Sequence, residues 1–238
     1  MSDFLLQVEG LEAGYDDVQV LWGISLNVKR GTMTTLLGAN GAGKTTSLRA
    51  ITGSLRPRKG RVVFEGEDVT RLSAHAKVAR GLVLVPEGRQ LFSAMSVEEN
   101  LEMGAFSQRA RAHFNDQLDK VYTMFPRLKE RRHQKAGTFS GGEQQMLAIA
   151  RGLMSMPDVL IIDELSLGLA PVIVQQLVGT LKALKEAGVT VMLVEQNVHL
   201  ALAICDYAYV IAEGRPFLEG HCKELASKPE IRQAYLGL

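Results

Sequence analysis

The sequence predicts an α/β fold built around a mostly parallel β-sheet with helices on both faces. One observation is that short, continuously apolar segments alternate with segments of helical periodicity, as is typical of strands buried on both faces. A second is a glycine-rich segment, residues 38–45, between one such apolar segment and a predicted helix. A third is the apolar segment 159–162, which ends in the carboxylates of Asp163 and Glu164. Ligands of such folds bind where the strands end, so these polar segments are the first candidates for a functional site.

Strands dominate the predicted N-terminal part of the chain. They cover residues 4–8, 18–28, 34–37, 61–64, 66–69 and 82–85. Gly23 is expected to interrupt the second strand, and a predicted turn at residues 13–17 carries Tyr15. Helices are predicted at residues 44–51 and 74–80. The glycine-rich segment therefore follows a buried strand and opens a helix.

Helical patterns without a convincing strand extend from about residue 98 to residue 156. Residues 108–125 are predicted to form one helix that Pro126 stops. Another helix is predicted from Ser140 to about Met154. This part of the chain is interpreted as a helical insertion in the α/β core.

Strands and helices alternate again after this insertion. The predicted elements are strands at 159–162 and 189–194, helices at 172–187 and 197–204, and a hairpin of residues 207–212 and 216–219. We therefore predict a single domain of residues 1–238, in which a core of residues 1–86 and 158–238 carries a helical subdomain of about residues 87–157.

Composition narrows the class of protein. The chain has 238 residues, 46% of them hydrophobic, and a formal net charge of +1. We expect no nucleic-acid partner, because such proteins usually carry a strongly basic surface. Basic residues cluster at 56–61 and 127–135, which we interpret as a solvated turn and helix face. Cys205 and Cys222 form no disulfide framework and are expected to be buried thiols in a reducing compartment.

Neither a membrane span nor a secretory signal is evident in the sequence. No segment approaches the roughly 18 apolar residues of a membrane span. Residues 1–6 lack a basic n-region and a long apolar segment. We expect a protein of the cytosol or of the cytosolic face of a membrane.

The glycine-rich segment fits the phosphate-binding pattern G-x-x-x-x-G-K-[ST]. Glycines let successive backbone N–H groups converge on a phosphate, the Lys44 ammonium can reach the β- and γ-phosphates, and the Thr45 hydroxyl can ligate Mg²⁺. A plain glycine-rich turn before a helix is the simpler alternative. The pattern predicts ATP and Mg²⁺ as cofactors and Lys44 as a catalytic residue. The predicted nucleotide-binding residues are Gly38, Asn40, Gly41, Ala42, Gly43, Lys44, Thr45 and Thr46.

Asp163 and Glu164 are the candidate groups for binding Mg²⁺ and for activating the attacking water. At the carboxyl end of a strand, Asp163 is placed to hold Mg²⁺ directly or through water. Glu164 would point at the γ-phosphate and accept a proton from the attacking water. A strand that ends in Asp is a weak signal by itself, but together with a phosphate loop it is a strong one.

Ser140 begins a third stretch of interest. Ser140 and Glu143 form a predicted capping box, which is the structural explanation of the motif. It does not explain Gly141 and Gly142, which weaken the first turn of a helix. Exposed N–H groups at a helix N-terminus also bind anions. Because one nucleotide cannot easily occupy two distant anion sites, two subunits could each offer this helix to the other's nucleotide.

The three stretches follow one another along the chain as residues 38–45, 139–145 and 161–164, with one helical insertion between. In this order they resemble the ATP-binding subunit of ABC transporters, and the resemblance covers essentially the whole chain. The resemblance implies an antiparallel β subdomain beside the parallel sheet. It also implies a head-to-tail dimer in which each ATP lies between one phosphate loop and the partner's Ser140, Gly141 and Gly142. Tyr15 matches the aromatic residue that stacks on adenine, although a plain turn tyrosine is the alternative. Residues 166–170 match the loop that crosses the dimer interface.

A finer resemblance is to the second ATPase of high-affinity branched-chain amino acid importers. It is carried by residues 85–89, 95–101, 125–128, 140–148, 193–197 and 234–237. This branch implies two membrane permease subunits, a second ABC ATPase subunit or a second copy of the chain, and indirectly a periplasmic substrate-binding protein. It places the subunit peripherally on the cytoplasmic face of the inner membrane.

Three positions depart from the broad pattern of the family. Glu87 stands where most members have a glutamine that touches Mg²⁺ and the permease, and it is a predicted metal residue together with Thr45 and Asp163. Gln196 stands where most members have a histidine that contacts the γ-phosphate, and it is a predicted catalytic residue. Leu165 replaces the usual proline, which leaves the local backbone less fixed.

Other functions remain open at this point. A related importer for urea, amides or aromatic acids is one alternative, since the permease and the binding protein select the substrate. A non-transport ABC ATPase of DNA repair or translation is another. Repair ATPases carry a long coiled coil, and translation factors usually join two such domains in one chain. Neither feature is present in this sequence.

Overall fold

The computed structural model describes residues 3–228 and residue 231, so the resemblance at residues 234–237 lies outside the described part. The strands are β1 (Phe4–Tyr15), β2 (Val18–Lys29), β3 (Met33–Leu37), β4 (Lys59–Phe64), β5 (Glu67–Asp68), β6 (Leu82–Val85), β7 (Val159–Asp163), β8 (Thr190–Glu195), β9 (Tyr207–Ala212) and β10 (Arg215–His221). The helices are α1 (Lys44–Thr52), α2 (Ala74–Ala79), α3 (Val97–Gly104), α4 (Gln108–Ala112), α5 (Phe114–Met124), α6 (Pro126–Glu130), α7 (Gly141–Met154), α8 (Pro171–Glu186), α9 (Val198–Ile204) and α10 (Cys222–Leu225). These elements form two compact units. The first unit comprises the residues up to Lys77 and those from Thr190 onward, and the second unit is Val78–Val189.

An antiparallel sheet forms one part of the first unit, with strand order β2-β1-β4-β5. The turn predicted at residues 13–17 is present but shorter, because β1 runs through Tyr15 and the chain reverses at Asp16 and Asp17. The predicted interruption of β2 at Gly23 is wrong. Leu11 pairs with Ile24 and Glu12 with Trp22. Gly23 is therefore the extra residue of a β-bulge, and its φ of +81° suits glycine.

The second sheet of this unit contains the parallel strands. β3 pairs in parallel with β8 on one side and with β9 on the other, and β10 pairs antiparallel with β9. Every residue of β3 and of β8 is buried, as expected of strands covered on both faces. The predicted α/β class with a mostly parallel sheet and an antiparallel β subdomain is confirmed.

Helix α2 of the first unit contributes a buried lysine. Lys77 is only 1% exposed. Its Nζ donates a hydrogen bond of 2.6 Å to the carbonyl oxygen of Ile51 in the last turn of α1. Carbonyl groups in that turn lack partners within their own helix, so the ammonium satisfies one of them.

The second unit combines the parallel strand pair β6 and β7 with helices. Between Val97 and Met154 its regular structure is helical, with one isolated bridge between Ser96 and Lys135, which confirms the predicted helical insertion. The single predicted helix at 108–125 is instead two helices, separated at His113, whose φ of −119° is not helical.

The predicted end of a helix at Pro126 is confirmed, since α5 ends at Met124, but the same proline also starts the next helix. It occupies the first turn of α6. The missing N–H of proline has no intrahelical partner at that position, and its fixed φ suits a helix start. The basic residues that follow lie on α6 and on the turns after it, where most are exposed.

Cys205 and Cys222 are both buried, as predicted. Over the described residues, none of the helices combines the length and apolar character that a bilayer crossing requires.

Candidate functional site

The glycine-rich loop leaves the sheet at the carboxyl end of β3. A Cβ atom on Gly38 would lie 2.7 Å from the carbonyl oxygen of Ile211. Gly43 has a φ of +102°, and a Cβ there would lie 2.8 Å from the Cδ2 atom of Leu21. Both positions therefore require glycine, one because of packing and the other because of packing and backbone conformation.

Lys44 folds back over this loop. Its Nζ donates to the carbonyl oxygens of Gly38 at 2.8 Å and Ala39 at 3.2 Å, and the residue is only 6% exposed. Helix α1 begins at Lys44 without a side-chain cap and without an acidic residue in its first turn. An uncapped helix N-terminus beside an ammonium group suits an anion. The observed residues therefore fit a nucleotide phosphate. Thr45 is exposed and Thr46 is buried in the same turn.

Tyr15 lies beside the same helix. It ends β1, and its side chain remains accessible, with 38% exposure of the residue. Arg49 of α1 donates from Nη1 to the Tyr15 hydroxyl at 3.1 Å, and the guanidinium carbon is 5.9 Å from the ring centroid. A contact from the phosphate-loop helix therefore orients an exposed aromatic ring.

Gln196 emerges from the sheet next to the phosphate loop. Leu37, the last residue of β3, pairs with Glu195, the last residue of β8. Gly38 and Gln196 therefore follow paired residues of neighbouring parallel strands, and Gln196 is exposed. Glu195 is fully buried, and its carboxylate accepts a hydrogen bond from the backbone N–H of Asn197 at 3.5 Å.

The predicted carboxylates of the second unit share one edge of its strand pair. Val85 of β6 pairs with Ile162 of β7, so Glu87 and Asp163 both follow this pair. Asp163 is 5% exposed, whereas Glu87 is exposed. Glu164 is partly buried and has a φ of +48°, an uncommon backbone conformation for a residue with a side chain.

These residues fit a magnesium ion that is bound together with a nucleotide. Within the described residues there is no group of three or more His, Cys, Asp or Glu side chains that could hold a metal by themselves. Mg²⁺ usually binds one or two carboxylates, waters and substrate phosphates, so it does not need such a group. The buried carboxylate of Asp163 supplies a suitable oxygen ligand.

Ser140 caps α7 as predicted. Its Oγ accepts from the Glu143 N–H at 3.4 Å, and the Glu143 carboxylate accepts from the Ser140 N–H at 2.9 Å and from its hydroxyl at 2.8 Å. Burial raises the pKa of Glu143, but the hydrogen bonds from Ser140 and the charge of Arg131 outweigh it, so the pKa lies below the ordinary value. Glu143 is therefore ionised, and its carboxylate accepts the hydrogen bonds that orient the exposed Ser140.

Close packing explains the second of the two glycines that follow. A Cβ atom on Gly142 would lie 2.4 Å from the Cγ2 atom of Ile173 in α8, so a larger residue does not fit there. A Cβ atom on Gly141 would lie 3.2 Å from the Nη2 atom of Arg89, the end of a flexible side chain that can move. The capping box alone did not explain the glycine at position 142.

Three arginines of these regions were not singled out in the sequence. Arg49 contacts Tyr15, Arg89 contacts Gln144, and Arg151 contacts the backbone after Glu87. Each contact joins residues that are 34 or more positions apart in the chain. No local pattern indicates such pairs.

Comparisons with known proteins show the family of this chain. The family model described as ABC transporter matches residues 21–166. The high-affinity branched-chain amino acid transport ATP-binding protein BraG of Pseudomonas aeruginosa is 46% identical over 233 residues, covering 98% of this chain and 100% of BraG. The probable branched-chain amino acid transport ATP-binding protein LivF of Archaeoglobus fulgidus is 33% identical, covering 98% and 99%.

A solved structure shares the fold. It shows the ADP conformation of an ATP-binding cassette of an ABC transporter, with a TM-score of 0.84, 28% identity and full coverage of both chains (100%). Both the family model and the relatives span the phosphate loop and the strand that ends in Asp163. The chain therefore belongs to the ABC transporter family, as an ATP-binding subunit with ATPase activity.

Proposed function

We propose that this chain hydrolyses ATP to energise the import of branched-chain amino acids through separate permease subunits. The observation that carries the proposal is the 46% identity to BraG over 98% of this chain and 100% of BraG. The archaeal relative with the same named substrate class supports it. In this assembly the subunit lies on the cytoplasmic face of the membrane, and a periplasmic binding protein delivers the substrate.

The first unit binds ATP in this proposal. The backbone of Gly38, Asn40, Gly41, Ala42 and Gly43 surrounds the phosphates, and the first turn of α1 with Thr45 and Thr46 presents N–H groups to them. Lys44 exchanges its two carbonyl contacts for contacts with the β- and γ-phosphates. The exposed ring of Tyr15 stacks on the adenine.

The carboxylates of the second unit carry the chemistry. Asp163, Glu87 and the Thr45 hydroxyl are the groups that would hold Mg²⁺, and the ion would supply positive charge against the phosphates. Glu164 accepts the proton of the attacking water. Gln196 cannot take up a proton, because its side chain is an amide, so it donates a hydrogen bond to a phosphate oxygen and positions it.

A second ATPase subunit completes each nucleotide site. Ser140, Gly141 and Gly142 of one subunit face the nucleotide bound by the other in a head-to-tail dimer. The exposure of Ser140 and the absence of side chains at Gly141 and Gly142 support this role. The partner is a second ABC ATPase or another copy of this chain.

Uptake measurements in cells test the substrate class. The chromosomal gene is replaced by the Lys44→Ala variant, with the exposed Lys129→Ala as the matched control. We expect uptake of radiolabelled leucine, isoleucine and valine to fall in the Lys44→Ala cells alone, while uptake of urea, acetamide and phenylalanine is unchanged. Loss of urea, amide or aromatic amino acid uptake with normal leucine uptake would overturn the proposed substrate class.

A further inference from the structure

The segment after Glu87 has an unusual backbone. Gly88, Arg89 and Gln90 have successive φ values of +74°, +64° and +44°. A left-handed conformation costs free energy at residues with side chains, and two of these three residues have one. Such conformations persist only where surrounding contacts hold them.

Arg151 of α7 provides these contacts. Its Nη1 donates to the carbonyl oxygen of Gln90 at 2.8 Å, and its Nη2 donates to that of Arg89 at 3.1 Å. The planar guanidinium thus holds two successive carbonyl groups of the strained residues, a geometry that an ammonium cannot reproduce. Its carbon also lies 5.5 Å from the ring centroid of Phe92.

Arg151 is a half-buried cation without a carboxylate among its contacts in the described part of the chain. Burial lowers the pKa of its guanidinium, although arginine stays protonated at ordinary pH. The charge is compensated by carbonyl dipoles and by the ring of Phe92. This arrangement makes the guanidinium a specific partner of the segment after Glu87.

Two further contacts fix the same segment. The Arg89 side chain donates from Nη1 to Oε1 of Gln144 at 3.1 Å. Gln144 and Arg151 lie two helical turns apart, so one side of α7 contacts both the side chain and the backbone of the segment. Beyond it, Asn100 accepts from the Phe92 N–H and donates to the Phe92 carbonyl, both at 3.0 Å.

We infer that Arg151 is a positioning residue, which holds Gly88, Arg89 and Gln90 in their left-handed conformation and thereby fixes where Glu87 points. The inference rests on the proposed function, in which Glu87 contributes to Mg²⁺ binding. Because Ser140 caps the N-terminus of α7, the helix that offers Ser140 to the partner's nucleotide also sets the position of Glu87. A shift of α7 therefore changes both groups together.

Hydrogen exchange of the nucleotide-free protein tests the contact itself. The reporters are the N–H groups of Gln90 and Phe92, whose acceptors lie within or beside the segment. Arg151→Met should raise their exchange rates by about 10-fold or more, as for loss of a charge-assisted hydrogen bond, with Arg151→Lys intermediate. Arg109→Met, which removes an ion pair with Asp158 in the same unit, is the control and should leave both rates unchanged.

The Mg²⁺ dependence of ATP hydrolysis tests the consequence. Arg151→Lys and Arg151→Met should raise the Mg²⁺ concentration for half-maximal rate by about 10-fold or more, with a smaller change in KM for ATP. In a double-mutant cycle, Glu87→Ala should add little to Arg151→Met.

The outcomes separate this inference from the proposed function. Unchanged exchange rates at Gln90 and Phe92 in folded Arg151→Lys protein would overturn the role of Arg151. Faster exchange with independent, additive effects of Arg151→Met and Glu87→Ala would overturn the link to Glu87. If Glu87→Ala alone leaves the Mg²⁺ dependence unchanged, the proposed metal role of Glu87 is wrong, and the exchange rates still decide whether Arg151 holds the segment.

Discussion

Lys44 is held by carbonyl groups of the loop that it follows, with Nζ 2.8 Å from the Gly38 oxygen and 3.2 Å from the Ala39 oxygen. These contacts keep the long side chain ordered above the loop before a nucleotide arrives. Ordering of the side chain is therefore not an additional cost of binding.

Replacing Lys44 by alanine should weaken ATP binding. A hydrogen bond to a charged group is worth about 1.5–3 kcal/mol, so the Kd should rise by roughly 10- to 150-fold. Isothermal titration with Mg-ATP measures this, with melting temperature as the folding check and Lys129→Ala as the control. An unchanged Kd in the folded variant would refute the role of Lys44.

Lys77 makes the free energy of unfolding depend on pH in the alkaline range. Burial lowers the pKa of its ammonium from 10.5 to about 8, and the charge of Asp68 opposes this shift. Between about pH 8 and pH 10.5 the unfolded chain keeps a proton on Lys77 that the folded chain has released. The contribution of Lys77 to the free energy of unfolding therefore rises with pH across that window.

Urea denaturation from pH 7 to pH 10.5 measures this effect as the difference between the wild type and Lys77→Met. The difference should increase in favour of the wild type as pH rises, whereas the difference for the exposed Lys129→Met should stay flat. A flat difference for Lys77→Met as well would show that the folded chain does not depress the pKa of Lys77.

At the residue scale, the sequence predicted motif residues but not their contacts. Lys44, Asp163 and Ser140 belong to patterns whose spacing reflects local backbone geometry, so they could be named in advance. Arg49 and Arg151 act on residues far away in the chain, and only the fold brings them together. Their roles could not be derived from sequence spacing.

At the element scale, apolar runs predicted strands well, whereas glycine and proline misled the prediction of boundaries. Gly23 was expected to interrupt β2 but is accommodated as a bulge. The helix before Pro126 ends as expected, at Met124, but the sequence did not indicate that this proline also starts α6. The same residue type fits either context, and tertiary packing decides between them.

The start of α7 should not tolerate a larger residue at its second position. Gly142→Ala places a Cβ atom 2.4 Å from the Cγ2 atom of Ile173, and overpacking of this kind typically costs about 1–3 kcal/mol of unfolding free energy. Urea denaturation should show this loss, and Ile173→Ala in the same chain should recover part of it. Gly179→Ala in α8, where a Cβ atom meets nothing within 4 Å, is the control. Wild-type stability of Gly142→Ala would contradict the packing argument.

At the scale of the whole molecule, the fold class and the family were predicted from the sequence, and the family model and relatives confirm them. The motifs occur in an order that few other folds share. The transported substrate could not be derived from residues of this chain, since the proposed permeases and binding protein contact it. Only the close resemblance to named transport subunits indicates a substrate class.

Ser140→Arg tests whether two subunits share each nucleotide. The substitution places a long cation at the start of α7 in place of the exposed cap, and in a head-to-tail dimer it blocks the partner's ATP. We expect ATP affinity within about twofold of wild type, since each phosphate loop is intact, and loss of steady-state hydrolysis. Ser107→Arg, at the N-cap of α4 in the same unit, is the matched control. Wild-type turnover of folded Ser140→Arg would contradict the shared site.

The central claim is that Glu164 accepts the proton during hydrolysis while Gln196 stays neutral. Single-turnover hydrolysis of bound ATP by Glu164→Gln, in the reconstituted transporter complex from pH 5.5 to 8.5, tests it most directly, with the exposed Glu130→Gln as the control. The account predicts normal ATP binding, accumulation of an ATP-bound dimer and a rate lower by about 10²–10⁴-fold at every pH. A rate within a few-fold of wild type would contradict it.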